Sequence, residues 1–225
     1  MKFLCRIVSA AGLVFALLSG MADAATQVTV VQGEARNLKG SEPYAVEELI
    51  RILKLRCDVD VRRTETTPDQ GVVFIVGSPP SNAALAKLVK EGTVRWASDA
   101  DQSLQVTSFK KGDLQGVVIG GDSPVATLWA VYEYGEQLGI RYTLHEDLYP
   151  AAKTAPKLAD LDIHRTPSLK TRGFRILDNT VGTFSGWSEA DLKKVVHQLA
   201  KLKFNLIQFS IHSTQPFAPF EYKGV

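Results

Sequence analysis

Two stretches near the C-terminal end hold the side chains best suited to chemistry. In Lys170–Asn179, Asp178 and Asn179 fall at the far end of a strand-like run, and a loop containing Gly182 and Gly186 follows. Further on, Ile207, Phe209 and Ile211 alternate with Gln208, Ser210 and His212. A period of two sends the aliphatic set toward covering helices and the polar set inward if the strands belong to a barrel. His212 then stands at the mouth of its strand, where barrel enzymes place polar site residues. Asp178 and Glu189 are the nearby carboxylates, and their spacing reads as a solvated loop acid and a helix-start charge rather than as a catalytic pair.

Between these strands a helix must begin at Ser188, with Asp191 three residues later completing a capping pair. Leu192, Val195, Val196 and Leu199 follow at helical spacing, which predicts one buried face. Strand, helix, strand in that order favours a parallel pair with a crossover helix. A (β/α) barrel takes about 250 residues. The span from Ser168 to Val225 holds about two of its eight units, so the expectation is the front piece of a longer protein or a truncated remnant of one.

The chain before this stretch predicts a complete smaller domain. Thr26–Val31 reads as a strand. A helix starts near Ser41 or Glu42 with Pro43 in its first turn, and Ala45, Val46, Leu49, Ile50 and Leu53 form its buried stripe. Cys57–Val61 reads as a short strand, and the apolar run Val72–Val76 as one covered on both faces. A helix near Asn82–Lys90 ends at Gly92. Ser103–Phe109 and Gly116–Ile119 form an antiparallel hairpin around KKGDLQ. Ser123 and Pro124 open a helix that Gly139 stops, with Val125, Leu128, Trp129 and Tyr132 on one face, and Ile140–Leu144 is a further strand. The expected fold class is α/β (α+β): a small mixed sheet with packed helices, followed by the first two βα units of an incomplete TIM barrel. The divisions are 1–24, 25–150 for the α/β domain, 151–167 as a linker through AAKTAPKLA, and 168–225 for the barrel start.

Composition narrows the classes. At 225 residues, 45% hydrophobic and 22% charged, the chain is an ordinary globular one. A net charge of +2 argues against a nucleic-acid partner. Lys2 and Arg6, the short apolar run Ile7–Leu18 and the small residues Ala22-Asp23-Ala24 form a secretory signal peptide cleaved after Ala24. That run is too short for a spanning helix. The expected location is therefore secreted or periplasmic, with no membrane association after cleavage. Cleavage also removes Cys5 and leaves Cys57 alone, without a possible internal disulfide and best read as a small buried hydrophobe. His145, His164, His197 and Cys57 lack metal-ligand spacing, and neither metal nor cofactor is expected. Gly77-Ser78 and Gly120-Gly121-Asp122-Ser123 lie between strands and helices but match neither a P-loop nor a dinucleotide fingerprint, so they read as tight turns.

SEPYAVEELIRIL, VVFIVGS, VVIGGDSPVATLWAVYEYGEQLGIRYTLHEDLYP, TPSLKTRGF and QLAKLKFNLI together resemble, over about residues 42 to 212, the front half of secreted glycoside hydrolases of the β-hexosaminidase and α-glucuronidase type. That resemblance implies a small α/β domain that braces a catalytic barrel by burying apolar surface against it. It also implies an oligosaccharide or polysaccharide substrate for the whole enzyme. The Arg172-Gly173 pair resembles the hexosaminidase strand opening, whose arginine contacts sugar hydroxyls. Lys203-Phe204-Asn205 resembles the opening of the next strand, with Gln208 and Ser210 where that family carries histidines. Leu177-Asp178-Asn179 resembles in part the α-glucuronidase pattern. Arg172, Asp178 and His212 are thus the candidate sugar ligands, and Trp187 offers either a stacking face for a pyranose or simple packing. In both families the catalytic carboxylates come from later strands, so no catalytic residue is assigned. The alternative is a non-catalytic carbohydrate-binding or protein-interaction module.

Overall fold

The computed structural model describes residues 25–97, 100–176 and 187–209. In chain order the first elements are β1 (Thr26–Val31), α1 (Glu42–Arg56), β2 (Val59–Thr64), β3 (Gly71–Val76), α2 (Ala83–Lys90), β4 (Leu104–Lys111), β5 (Leu114–Gly121) and α3 (Pro124–Gln137). They are followed by β6 (Arg141–Tyr142), β7 (Asp147–Leu148), β8 (Asp162–Arg165), β9 (Gly173–Ile176), α4 (Glu189–Lys201) and β10 (Leu206–Phe209). Six strands form one mixed sheet in the order β2-β1-β3-β5-β4-β8. β2, β1, β3 and β5 run parallel, whereas β4 is antiparallel to both β5 and β8.

Side-chain alternation explains the three layers. Val28, Val30, Phe74, Val76, Val117 and Ile119 point to one face, under α1 and α3. Their neighbours Val31, Val73, Ile75 and Val118 point to the other, where Leu85 and Leu88 of α2 cover them. Val73 to Val76 is apolar at every position because each side of β3 has a lid. The two outer strands are different. β2 exposes Asp60, Arg62 and Arg63, and β8 exposes Asp162, His164 and Arg165.

Local signals place most boundaries. Asn82 caps α2 by accepting from the N–H groups of Ala84 and Leu85 at 3.0 and 3.3 Å. The Ser188–Asp191 box closes reciprocally, with Asp191 N donating to Ser188 Oγ at 3.2 Å and Ser188 N to Asp191 Oδ2 at 3.0 Å. Ser123 holds the cap position of α3 without making the cap bond.

Several boundaries differ from expectation. Cys57 does not start a strand. It caps α1, its N–H donating to Leu53 O at 2.8 Å, and β2 begins two residues later. The β4–β5 ladder continues to Lys111 opposite Leu114, so the turn shrinks to Gly112-Asp113, and Gly112 at φ +59° takes its first position. The expected strand at Ile140–Leu144 is instead one arm of the small antiparallel pair β6–β7. The stretch 151–167, expected to be a linker, contains β8, which is the sixth strand of the main sheet.

The largest departure is α3. A single buried face was expected, yet every residue from Ala126 to Gly135 is buried. The sheet covers one side and α1 a second. The segment after β7 adds a third, where Tyr134 Oη donates to Lys157 O at 3.2 Å. Gly135 leaves room for Tyr142, since a Cβ there would stand 2.1 Å from the phenol oxygen. Replacing Gly135 with Ala adds about 1 kcal/mol of helix propensity but forces this overlap, so net destabilisation of about 1–3 kcal/mol is expected. In the G135A/Y142F double variant the nearest atom becomes the ring carbon at 3.3 Å. Thermal unfolding should show that variant recovering most of the loss.

Candidate functional site

β9 and β10 lie parallel, Gly173 opposite Leu206 and Ile176 opposite Phe209, so their C-terminal ends are side by side. Barrel folds bind ligands at that end. Asp178 and His212 were expected just beyond it, and both lie outside the described residues, as do Asn179, Gly182 and Gly186. Trp187, immediately before the Ser188 cap, is 37% exposed, which leaves part of its ring open to a ligand.

Arg172 is described, and it stands at the other end of the strand, one residue before β9. Its Nε donates to Lys203 O at 2.7 Å, and its Nη1 to Leu169 O at 2.7 Å and Gln102 Oε1 at 2.9 Å. The guanidinium carbon sits 4.7 Å from the ring centre of the fully buried Trp129. Burial lowers the guanidinium from its ordinary pKa.

Two further polar contacts join α4 and its following turn to the rest of the molecule. Glu133, on α3, receives Arg165 Nε at 3.0 Å and Lys203 Nζ at 3.2 Å. Asp147, on β7, receives Lys201 Nζ at 2.7 Å, Gln198 Nε2 at 3.0 Å and Tyr149 Oη at 2.8 Å. Apolar bracing is present as well: Leu199 is buried and Leu202 packs on the main core. On α4, by contrast, Val196 is 43% exposed, although it was expected on the buried face.

The crevice at the C-terminal ends of β1 and β3, where an open α/β sheet often binds a ligand, is filled by the protein. A Cβ on Gly33 would stand 1.8 Å from Ser81 O, and one on Gly120 would stand 1.7 Å from Gly77 O. Glu42, almost fully buried, accepts from Ser81 Oγ at 2.6 Å and Lys39 N at 2.9 Å, so a carboxylate of the chain itself lies at the start of α1. Trp96 Nε1 donates to Asp122 at 3.1 Å above the second glycine turn. Gly77-Ser78 leads into a turn closed by Ser81 N on Ser78 O at 3.0 Å, whereas Gly120 and Gly121, expected in a turn, are the last residues of β5, and only Asp122 and Ser123 connect it to α3.

The remaining candidates are structural. Among the described residues no group of three His, Cys, Asp or Glu side chains could hold a metal. Cys57 is 1% exposed, and burial pushes its thiol up to about 11. An open groove of about 470 Å³ runs between the ends of α1 and α3 and the segment from Pro150 to Lys157. Arg56 spends its guanidinium there on the carbonyls of Pro150 and Ala152, at 3.1 and 2.6 Å, hooking that segment to α1.

Sequence reasoning did not find Gln102, Glu133, Asp147 or Lys201, all of which bridge the two parts, and it noted Asn205 only as part of a strand opening. Each lies in an ordinary polar context, and only three-dimensional proximity distinguishes it.

No family model and no curated protein matches the chain. Solved structures do. One is a family GH115 4-O-methyl-α-glucuronidase, BtGH115A, described as having specificity for decorated arabinogalactans, with a TM-score of 0.58, 15% identity, and coverage of 83% of this chain and 25% of that one. Another is CpGH84D, with a TM-score of 0.57, 13% identity, and coverage of 82% of this chain and 27% of that one. At these identities the likeness is one of fold, and this chain spans about a quarter of the length of either protein.

Two outcomes follow from the buried groups. Burial alone would raise Asp147, but the bonds from Lys201, Gln198 and Tyr149 hold its carboxyl below the ordinary value. A depressed carboxylate contributes stability that is complete above its unfolded value and is lost as pH falls through the lower folded one. D147N should therefore be less stable than the parent by roughly 2–3 kcal/mol at neutral pH. Paired thermal melts should show that gap closing only below the ordinary value of 3.8. Cys57 should react with a thiol reagent at pH 8 only after denaturant is added; a fast phase in the native protein would contradict its burial.

Proposed function

We propose that this chain is the accessory α/β region and the opening two βα units of an exported glycoside hydrolase, of β-hexosaminidase or α-glucuronidase type, without hydrolytic activity of its own. One observation carries the reading: a parallel β9–α4–β10 unit lies against a mixed α/β sheet, in an arrangement that overlays more than four-fifths of the chain on an α-glucuronidase structure. The edge geometry supports it. Among the described residues β9 and β10 pair only with each other, and Leu206 is 48% exposed. Parallel strands are normally covered and continued on both sides.

In this reading Asp178 and His212, carried past the C-terminal ends of β9 and β10, hydrogen-bond the sugar, and Trp187 stacks on it. The acid that protonates the leaving oxygen, and its partner carboxylate or steered acetamido group, come from later strands. The substrate is an oligosaccharide or polysaccharide bearing N-acetylhexosamine or glucuronate ends. Export follows from the N-terminal leader, and the mature chain begins at Ala25.

The isolated chain should turn over neither aryl N-acetylglucosaminides nor glucuronate-decorated oligosaccharides, whereas the product of the uninterrupted reading frame should cleave one class. Turnover by the isolated chain would contradict the assignment. Calorimetric binding of oligosaccharide by the isolated chain, without turnover from any longer product, would instead favour the binding-module alternative.

A further inference from the structure

The arginine of TRGF invites assignment as a sugar ligand, but its surroundings support a different use. β9 starts at Gly173 and β10 at Leu206, so Arg172 and Asn205 stand side by side immediately before the two strands. Four strand residues at about 3.3 Å each separate this base from the ligand-binding end. Here the backbone and side chains form a closed knot. Arg172 N donates to Asn205 Oδ1 at 2.8 Å, and Asn205 N returns to Arg172 O at 3.0 Å. Asn205 Nδ2 donates to Lys170 O at 2.8 Å and to Gln102 Oε1 at 3.2 Å, while Gln102 Nε2 donates to Lys170 O at 2.9 Å. The Arg172 guanidinium links this knot to Lys203 O on one side and to the Trp129 ring on the other.

Gln102 and Trp129 belong to the six-stranded domain; Arg172, Lys203 and Asn205 belong to the β9–α4–β10 unit. Lys203 carries a second sign of being held. Its φ is +64°, a left-handed conformation that a lysine adopts at a cost. Its carbonyl is fixed by Arg172 and its ammonium by the buried Glu133. A planar fork can reach Gln102, Leu169 and Lys203 at once while its carbon stands 4.7 Å over an indole, and an ammonium cannot.

We propose that Arg172 is a docking residue rather than a sugar ligand: through Gln102, Trp129, Lys203 and Asn205 it locks the base of the first barrel strand pair to the accessory domain and fixes the placement of that pair. The proposal rests on the reading of β9 and β10 as barrel strands only for its catalytic consequence; the coupling itself is testable in this chain without substrate.

The experiment is native-state hydrogen exchange on the full chain and its R172K, R172M and Q102A variants, with oligosaccharide titration alongside. The expected result is a rise of about tenfold or more in exchange at 173–176 and 206–209 in all three, with the amides of β1, β3 and β5 unchanged. R172K should fail to rescue. Q102A removes only the accessory-domain partner, so it keeps the proposal falsifiable if an Arg172 variant unfolds globally. Unchanged exchange at both strands in Q102A would overturn the lock, as would full rescue by R172K. Sugar binding lost in R172M with parental exchange would return Arg172 to the sugar site. Altered exchange in this chain, with neither sugar class turned over by the longer product, would leave the lock standing while the carbohydrate reading fell.

Discussion

Helix α3 must be covered on every side, and that requirement organises the molecule. Its apolar and aromatic residues run around the whole circumference from Ala126 to Gly135, so a sheet beneath it satisfies only one face. α1 supplies a second wall, Tyr142 fits against Gly135, and the backbone at Lys157 closes over Tyr134. What is left of the surface is polar or aromatic, and the second unit meets it there: Glu133, already paired with Arg165 of β8, takes Lys203, and Trp129 takes Arg172. A helix with an ordinary solvent face would have offered β9 and β10 nothing comparable to dock on.

How far the residues could be read in advance depended on the range of the interactions. The Ser188–Asp191 box and the Asn82 cap are settled within a turn of helix, and both were legible. The continuous run in β3 announced a strand covered on both faces because burial leaves no polar position to fill. β8 was not legible as a sheet strand. Its outward residues are charged, and its place beside β4 depends on pairing across more than fifty residues of chain. α3 was read as one-sided because helical periodicity sees only the stronger stripe, whereas residues off that stripe are buried by distant parts of the chain, as Tyr134 is between Phe74 of β3 and the backbone at Lys157. For Arg172, the pattern TRGF suggested a residue worth noticing, but its partners Gln102 and Trp129 lie far back in the sequence and left no local trace.

The glycine turns show why fold likeness and function must be argued separately. A parallel sheet of this order has a natural ligand crevice where β1 and β3 diverge. In this chain Gly33 and Gly120 are used to bring carbonyl groups into contact with the backbone, and Glu42 occupies the helix start. The six-stranded domain has spent its own binding place on cohesion.

The charged outer strands of the main sheet have a directional meaning. β2 and β8 present Asp60, Arg62, Arg63, Asp162 and Arg165 at the two rims, where a further strand would have to strip water from those groups in order to pair. The β9–β10 ribbon carries fewer such guards, with an aliphatic side chain, Leu206, open at its start. Growth of β-structure is thereby discouraged at the scaffold and steered toward the ribbon, so this architecture can be extended at one place without its finished half becoming a seed for aggregation.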